Sequence, residues 1–227
     1  MEFSIKGGDL SKLKTDCVIV GIFESKKLSK SAQALDKASK GALAAAVASG
    51  DISGKPGSTL LLQSLPGLAA QRVLLVGCGA EKDYSNKVFA SAVSAAFKSL
   101  KSTGATDVVL PLETSFSAAD LAWKVEQAAC LAIEGAYRFN RLKSKADDKH
   151  VGKAVTFHLD GEANEKALKA SIRRGEAIGE GMSLTKDLGN LPPNIATPTY
   201  LASTAKDLAK AYKFKCTILE KKDMEKL

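Results

Sequence analysis

After Asp16 the chain runs Cys17-Val18-Ile19-Val20-Gly21-Ile22-Phe23 without a polar side chain. A continuous apolar run of that length is the mark of a strand buried on both faces, as in parallel sheets. Phe3–Ile5, Ser58–Gln63, Arg72–Val76, Asp107–Leu110 (closed by Pro111) and Ala154–Leu159 add shorter strand-like stretches. Between them the apolar spacing lengthens to that of a helix. One helical stretch starts near Ser29 and carries Ala34, Leu35 and Ala38; an Ala-rich piece lies between Gly41 and Gly50. Ser85–Thr103 places Val88, Ala92, Ala95, Ala96 and Leu100 on one face, and Ser117–Arg138 does the same with Leu121, Val125, Ala128, Ala132 and Ala136. Leu65-Pro66-Gly67 marks a turn, and the polar segment 140–153 a surface loop. Strands alternating with helices predict an α/β domain: a largely parallel sheet with helices on both faces, three layers in all, ending near residue 160.

The pattern then changes. From Glu162 to about Leu188 a single long helix is expected, with Leu168, Ile172, Ile178 and Met182 in a stripe that Gly175, Gly179 and Gly181 weaken. Gly189-Asn190 ends it, and Pro192-Pro193 forbids its continuation. Thr197 is placed to cap a new helix whose first residue is Pro198 and which runs to about Tyr212. Phe214–Leu219 reads as a strand, and Lys222 opens a further helix. These few elements cannot close a core, so apolar surface is expected to stay exposed after Leu188.

Composition narrows the class. Of 227 residues, 45% are hydrophobic and 26% charged, the balance of a soluble globular chain. Aromatics make up only 6%, so Ala, Val, Leu and Ile must build the core. No run of apolar residues is long enough for a membrane span, and Met1-Glu2-Phe3-Ser4-Ile5-Lys6 lacks the basic-then-apolar pattern of a secretory signal. Cys17, Cys78, Cys130 and Cys216 form no CxxC pair and sit in or beside apolar segments. They read as buried reduced thiols of a cytoplasmic protein. The net charge is +8, made of +3 over residues 1–50, +2 over 51–100, zero over each of the next two blocks of fifty, and +3 over the last 27. Spread in this way it implies mild non-specific attraction to nucleic acid and no dedicated basic patch.

The candidate chemistry is sparse. Val76-Gly77-Cys78-Gly79-Ala80 before a helix at Ser85 has the layout of a phosphate-binding turn, but Lys82 stands where a third glycine belongs, and no acidic partner follows for a ribose. A strand-to-helix turn that simply needs glycine has the same layout. Gly50-x3-Gly54-Lys55 is one residue short of a Walker A loop, and Pro56 replaces its Ser/Thr. No Gly-x-Ser-x-Gly elbow occurs. His150 and His158 are the only histidines; His158, in an expected strand, reads as packed or at a sheet edge, and Asp147-Asp148 as solvated charge in a Lys-rich loop. The pairs Lys26-Lys27 and Lys221-Lys222 read as solvated surface. No catalytic, substrate-binding or metal-binding residue is assigned within the chain.

The segment Lys186-Asp187-Leu188-Gly189-Asn190-Leu191-Pro192-Pro193-Asn194-Ile195-Ala196-Thr197-Pro198-Thr199-Tyr200-Leu201-Ala202 resembles the linker of the leucyl aminopeptidase (cytosol aminopeptidase) family, whose bacterial members carry a similar Asn-x-Pro-x-Asn core after a long helix. The order of elements along the whole chain is similar too. The resemblance implies a macro-domain-like domain over 1–160, a connecting helix over 161–189, and the truncated start of an α/β metallo-exopeptidase domain over 190–227. It also implies a parent that is a cytoplasmic homo-hexamer and removes N-terminal residues from peptides with two divalent ions, Mn or Zn. The family's Lys-x4-Asp-Ser-Gly-Gly-like and Asn-Thr-Asp-Ala-Glu-Gly-Arg-like ligand stretches are absent here, so its catalytic residues are expected beyond Leu227 and the chain alone is expected to be inactive. Two other roles follow from the resemblance: a DNA-binding regulatory module of a bifunctional aminopeptidase, and a macro-like nucleotide or ADP-ribose pocket at Gly77–Ala80.

Overall fold

The computed structural model describes residues 1–113, 120–145, 152–161 and 164–226. The expected helix starts at Ser117 and Glu162, the Asp147-Asp148 pair, His150 and the terminal Leu227 lie outside them. Two compact units divide the chain, Met1–Ser183 and Leu184–Leu227.

The first unit is built on six strands: β1 (Glu2–Lys6), β2 (Cys17–Ile22), β3 (Thr59–Gln63), β4 (Arg72–Gly77), β5 (Asp107–Pro111) and β6 (Ala154–His158). Their order across the sheet is β1-β6-β5-β2-β4-β3. Five run parallel; β3 pairs antiparallel with β4. The run read as doubly buried is the central β2, whose successive side chains face opposite ways. Cys17 and Ile19 join Leu74, Val76, Val108 and Phe157 in the core on one face. Val18, Val20 and Ile22 join Val73 and Leu75 on the other. Both faces are covered, which is why no alternation of apolar and polar residues is visible along β2.

The helices cover the two faces unequally. Helices α1 (Lys30–Ala38) and α2 (Ala42–Ala48) bring Ala32, Leu35, Leu43 and Val47 to one side. Helices α3 (Asn86–Leu100) and α4 (Leu121–Ala136), with the first part of α5 (Glu165–Asn190), bring Phe89, Phe97, Val125, Ala129, Leu168 and Ile172 to the other. Two of the glycines expected to weaken α5 are contact points. A methyl group on Gly175 would overlap the Glu126 carbonyl oxygen, and one on Gly179 would stand 2.9 Å from Ile133 Cβ. They let α5 approach α4 more closely than any side chain would permit. Gly181 has nothing of the kind around it.

In the second unit α6 (Pro198–Tyr212) starts as its sequence demands, with Thr197 Oγ1 accepting from Tyr200 N and Pro198 in the first turn. A single turn, α7 (Lys221–Met224), follows. Two expectations fail here: Cys216, read as buried, is partly exposed, and one strand does not form. Phe214–Leu219 is not a strand: it pairs with no strand among the described residues, and Phe214 and Leu219 are exposed. Its local preference is extended, but a strand exists only when a neighbour takes its backbone hydrogen bonds.

A filled crevice at the switch point of the sheet

From β2 the chain crosses through α1 and α2 to β3 and β4 on one side; from β5 it crosses through α4 to β6 on the other. Neighbouring parallel strands whose connections leave in opposite directions open a crevice beyond their carboxyl ends, the usual ligand position in such sheets. Here that crevice lies past Ile22 of β2 and Pro111 of β5.

Glu113, two residues after β5, fills it. Its Oε1 accepts from Ser29 Oγ at 2.8 Å and from the Ser31 amide at 2.7 Å, and its Oε2 accepts from the Lys30 amide at 3.1 Å. The carboxylate therefore sits on the N-terminus of α1, where unpaired amides and the helix dipole favour negative charge. Ser29 Oγ also accepts from the Ala32 amide as the N-cap of α1. The backbone of Glu113 is anchored in turn: Lys124, only 2% exposed in α4, donates from Nζ to the Glu113 carbonyl oxygen at 2.7 Å. Burial pulls the Lys124 ammonium below the usual lysine range, while the negative charge of Glu113 pushes the other way.

Glu113 and Pro111 are walls of two small cavities. The first, about 30 Å³, is rimmed by Lys30, His158 and Asp160. Lys30 and Asp160 form an ion pair across its mouth. The second, about 60 Å³, is lined by Gly21, Phe23, Cys78, Tyr84 and Phe89. Drug-sized ligands need roughly 300–1,000 Å³; these cavities have space for a few waters each. Burial pushes the Cys78 thiol up to about 12 and raises Tyr84 as well, so neither ionises near neutrality.

The structure places the other sequence candidates apart from this crevice or uses them up. In the turn Gly77–Ala80 three of the four amides are committed: Gly77 N to Ser58 O, Cys78 N to Ile22 O, and Gly79 N to Gly54 O. The segment Gly54–Ser58, part of the near-Walker stretch, packs directly on the turn, and a side chain on Gly77 would overlap the Lys55 carbonyl oxygen. A short 3-10 turn, Glu81–Asp83, then separates these glycines from α3. The glycines serve close packing, and no phosphate cradle forms. His158 is buried, and its Nε2 donates to the Gly8 carbonyl oxygen at 2.8 Å, so that nitrogen carries the proton and is closed to a metal. Lys27 pairs with Glu81, and Lys221 with Glu225. Glu113 and Lys124 escaped the sequence reading. The one available signal was Lys124 itself, a lysine set among Leu121, Val125 and Ala128 on the apolar face of its helix.

Residues 19–146 match the model of the cytosol aminopeptidase family, N-terminal domain. The chain belongs to that family. Probable cytosol aminopeptidases of Nitrosomonas eutropha and Nitrosospira multiformis are 45% and 47% identical over the whole of this chain, covering 46% and 45% of their own lengths. The chain thus spans about half the length of the curated relatives it matches. A solved tomato leucine aminopeptidase mutant superposes on all of the chain with a TM-score of 0.84 at 25% identity, covering 46% of that structure. The bottromycin maturation enzyme BotP, solved in complex with Mn, shares the fold over 93% of the chain with a TM-score of 0.68 at 20% identity. Among the described residues no group of three or more His, Cys, Asp or Glu side chains could hold a metal ion. The described residues do not fit a two-metal centre. No helix among the described residues is long and apolar enough to cross a membrane.

Proposed function

We propose that this chain is the N-terminal portion of a leucyl aminopeptidase that removes N-terminal residues from peptides. The observation that carries the reading is the match to the family's N-terminal domain together with the match of the whole chain to about half the length of aminopeptidase relatives, in sequence and in backbone. In this reading residues 1–160 form the N-terminal domain, 161–189 the connecting helix, and 190–227 the opening of the catalytic domain. The two divalent ions, Mn or Zn, are held by the part of the parent that corresponds to the other half of the relatives. No residue of this chain is assigned to catalysis, substrate or metal. The parent works in the cytoplasm as a homo-hexamer. The net charge of +8 supports no more than weak, salt-sensitive contact with nucleic acid, because it is dispersed.

The test is release of p-nitroaniline from leucine p-nitroanilide, with and without Mn²⁺. The parent is expected to show metal-dependent turnover, and the 227-residue chain none. A parent without metal-dependent turnover, or a chain that turns over alone, would overturn the proposal.

A further inference from the structure

We propose that Glu113 is a built-in plug: its carboxylate occupies the position an external oxyanion would take at the switch point of the sheet, and so fills that part of the crevice. Three donors converge on one carboxylate, two of them first-turn amides of α1. The crevice they face is the one the topology opens between β2 and β5. The two cavities beside it share Glu113 and Pro111 as walls. Removing the side chain therefore does two things at once. It joins the apolar space beside Phe23, Tyr84 and Phe89 to the polar space beside Lys30 and Asp160, and it leaves the α1 amides without their anion. Lys124 holds the Glu113 backbone in place for this, so the plug does not depend on the surface for its position. The chemistry of the opened space fits a small carboxylate: oxygens for the amides of Lys30 and Ser31, and a short apolar body for the cavity beside Phe23, Tyr84 and Phe89. The inference is independent of the aminopeptidase reading, since it concerns only the first unit.

Chemical rescue tests it on the 227-residue chain. Glu113→Ala is expected to lower Tm, and acetate or formate, but not chloride at equal ionic strength, is expected to restore part of the loss. The wild-type Tm should not respond to acetate in that comparison. In 15N-resolved spectra the amides of Lys30 and Ser31 should move with added acetate in the variant and stay still in the wild type. A variant with no acetate-specific recovery and no movement of these amides would overturn the plug. So would a wild type that responds as the variant does. If Glu113→Ala does not fold, Glu113→Gln decides. It keeps the shape and loses the charge, so the Lys30 and Ser31 amide protons should shift upfield from their wild-type positions. Unchanged amide shifts would overturn the proposal.

Discussion

The two units are made of similar material and reach opposite ends of the burial scale. In Met1–Ser183 the strands β2 and β4 are buried on both faces, and Phe97, Phe157 and Leu74 are fully enclosed. In Leu184–Leu227 neither α6 nor α7 has a buried residue, and Leu201, Tyr212, Phe214, Leu219 and Met224 are exposed, Tyr212 by 66%. The apolar stripe of α6 is as regular as that of α3. What differs is the presence of a sheet to receive it. An amphipathic pattern states what a helix can bury; a partner surface decides what it does bury.

The sharpest way to break this contrast is to truncate one large side chain in each unit. Phe157→Ala should cost about 3–5 kcal/mol, because it removes enclosed surface and leaves a cavity. Leu201→Ala should stay within ~0.5 kcal/mol, as surface changes do. Urea unfolding of both variants checks this, and similar losses at the two sites would refute the difference in packing.

Next comes a pair of glycines within one helix. Gly175→Ala should destabilise by about 1–3 kcal/mol, since the new methyl group collides with α4. Gly181→Ala meets open space and should stabilise by about 1 kcal/mol through helix propensity. Thermal melts of the two variants should move in opposite directions.

A smaller effect concerns Asp16, at the entrance to β2. Burial works to raise its pKa, but donation from the Thr106 amide at 2.8 Å, the Thr106 hydroxyl at 2.9 Å and the Asp107 amide at 3.1 Å outweighs it, and the carboxyl is held below its usual value. A depressed folded-state pKa gives stability that is present above the unfolded value of roughly 4 and is lost as pH falls through the folded value. Asp107 is shifted the other way, by burial first and then by the charge of Asp16. Asp16→Asn should therefore cost about 1 kcal/mol at neutral pH, and the gap to wild type should narrow in acid. A gap independent of pH would remove Asp16 from the account.

The smallest effect is chemical. Burial pushes the Cys17 and Cys78 thiols up to about 12, and Cys130 is buried as well, whereas Cys216 of the second unit is partly exposed. Since the thiolate is the reactive form, a maleimide should label Cys216 first in the native protein. Mass spectrometry of the labelled peptides checks the order, and early labelling of Cys17 or Cys78 would contradict the enclosed sheet.

Much of this architecture was legible along the chain because its cause is local. The apolar run after Asp16 has the pattern of a doubly covered strand, and Thr197-Pro198 that of a helix start. The direction of β3 was not legible. A period of two is the same for parallel and antiparallel pairing, and only β4 lying alongside decides it. Phe214–Leu219 shows the converse, an extended preference with no neighbour to realise it. Gly175 and Gly179 looked like defects because propensity counts a glycine by what it lacks, while packing against α4 uses that same lack.

By itself, then, the sequence determined the class of the fold, the order of elements in the first unit and the family resemblance carried by Asn190–Pro198. These depend on periodicity, on backbone-restricting residues and on residue identity, all of which are read one segment at a time. The crevice was decided only by the tertiary structure. Ser29 stands 84 residues from Glu113, Lys124 lies 11 residues beyond it, and the three share no motif. They meet because the crossovers from β2 and β5 leave the sheet on opposite sides, bringing the start of α1 and the end of β5 to the same edge, and a carboxylate placed there finds the donors that a helix N-terminus always leaves unpaired.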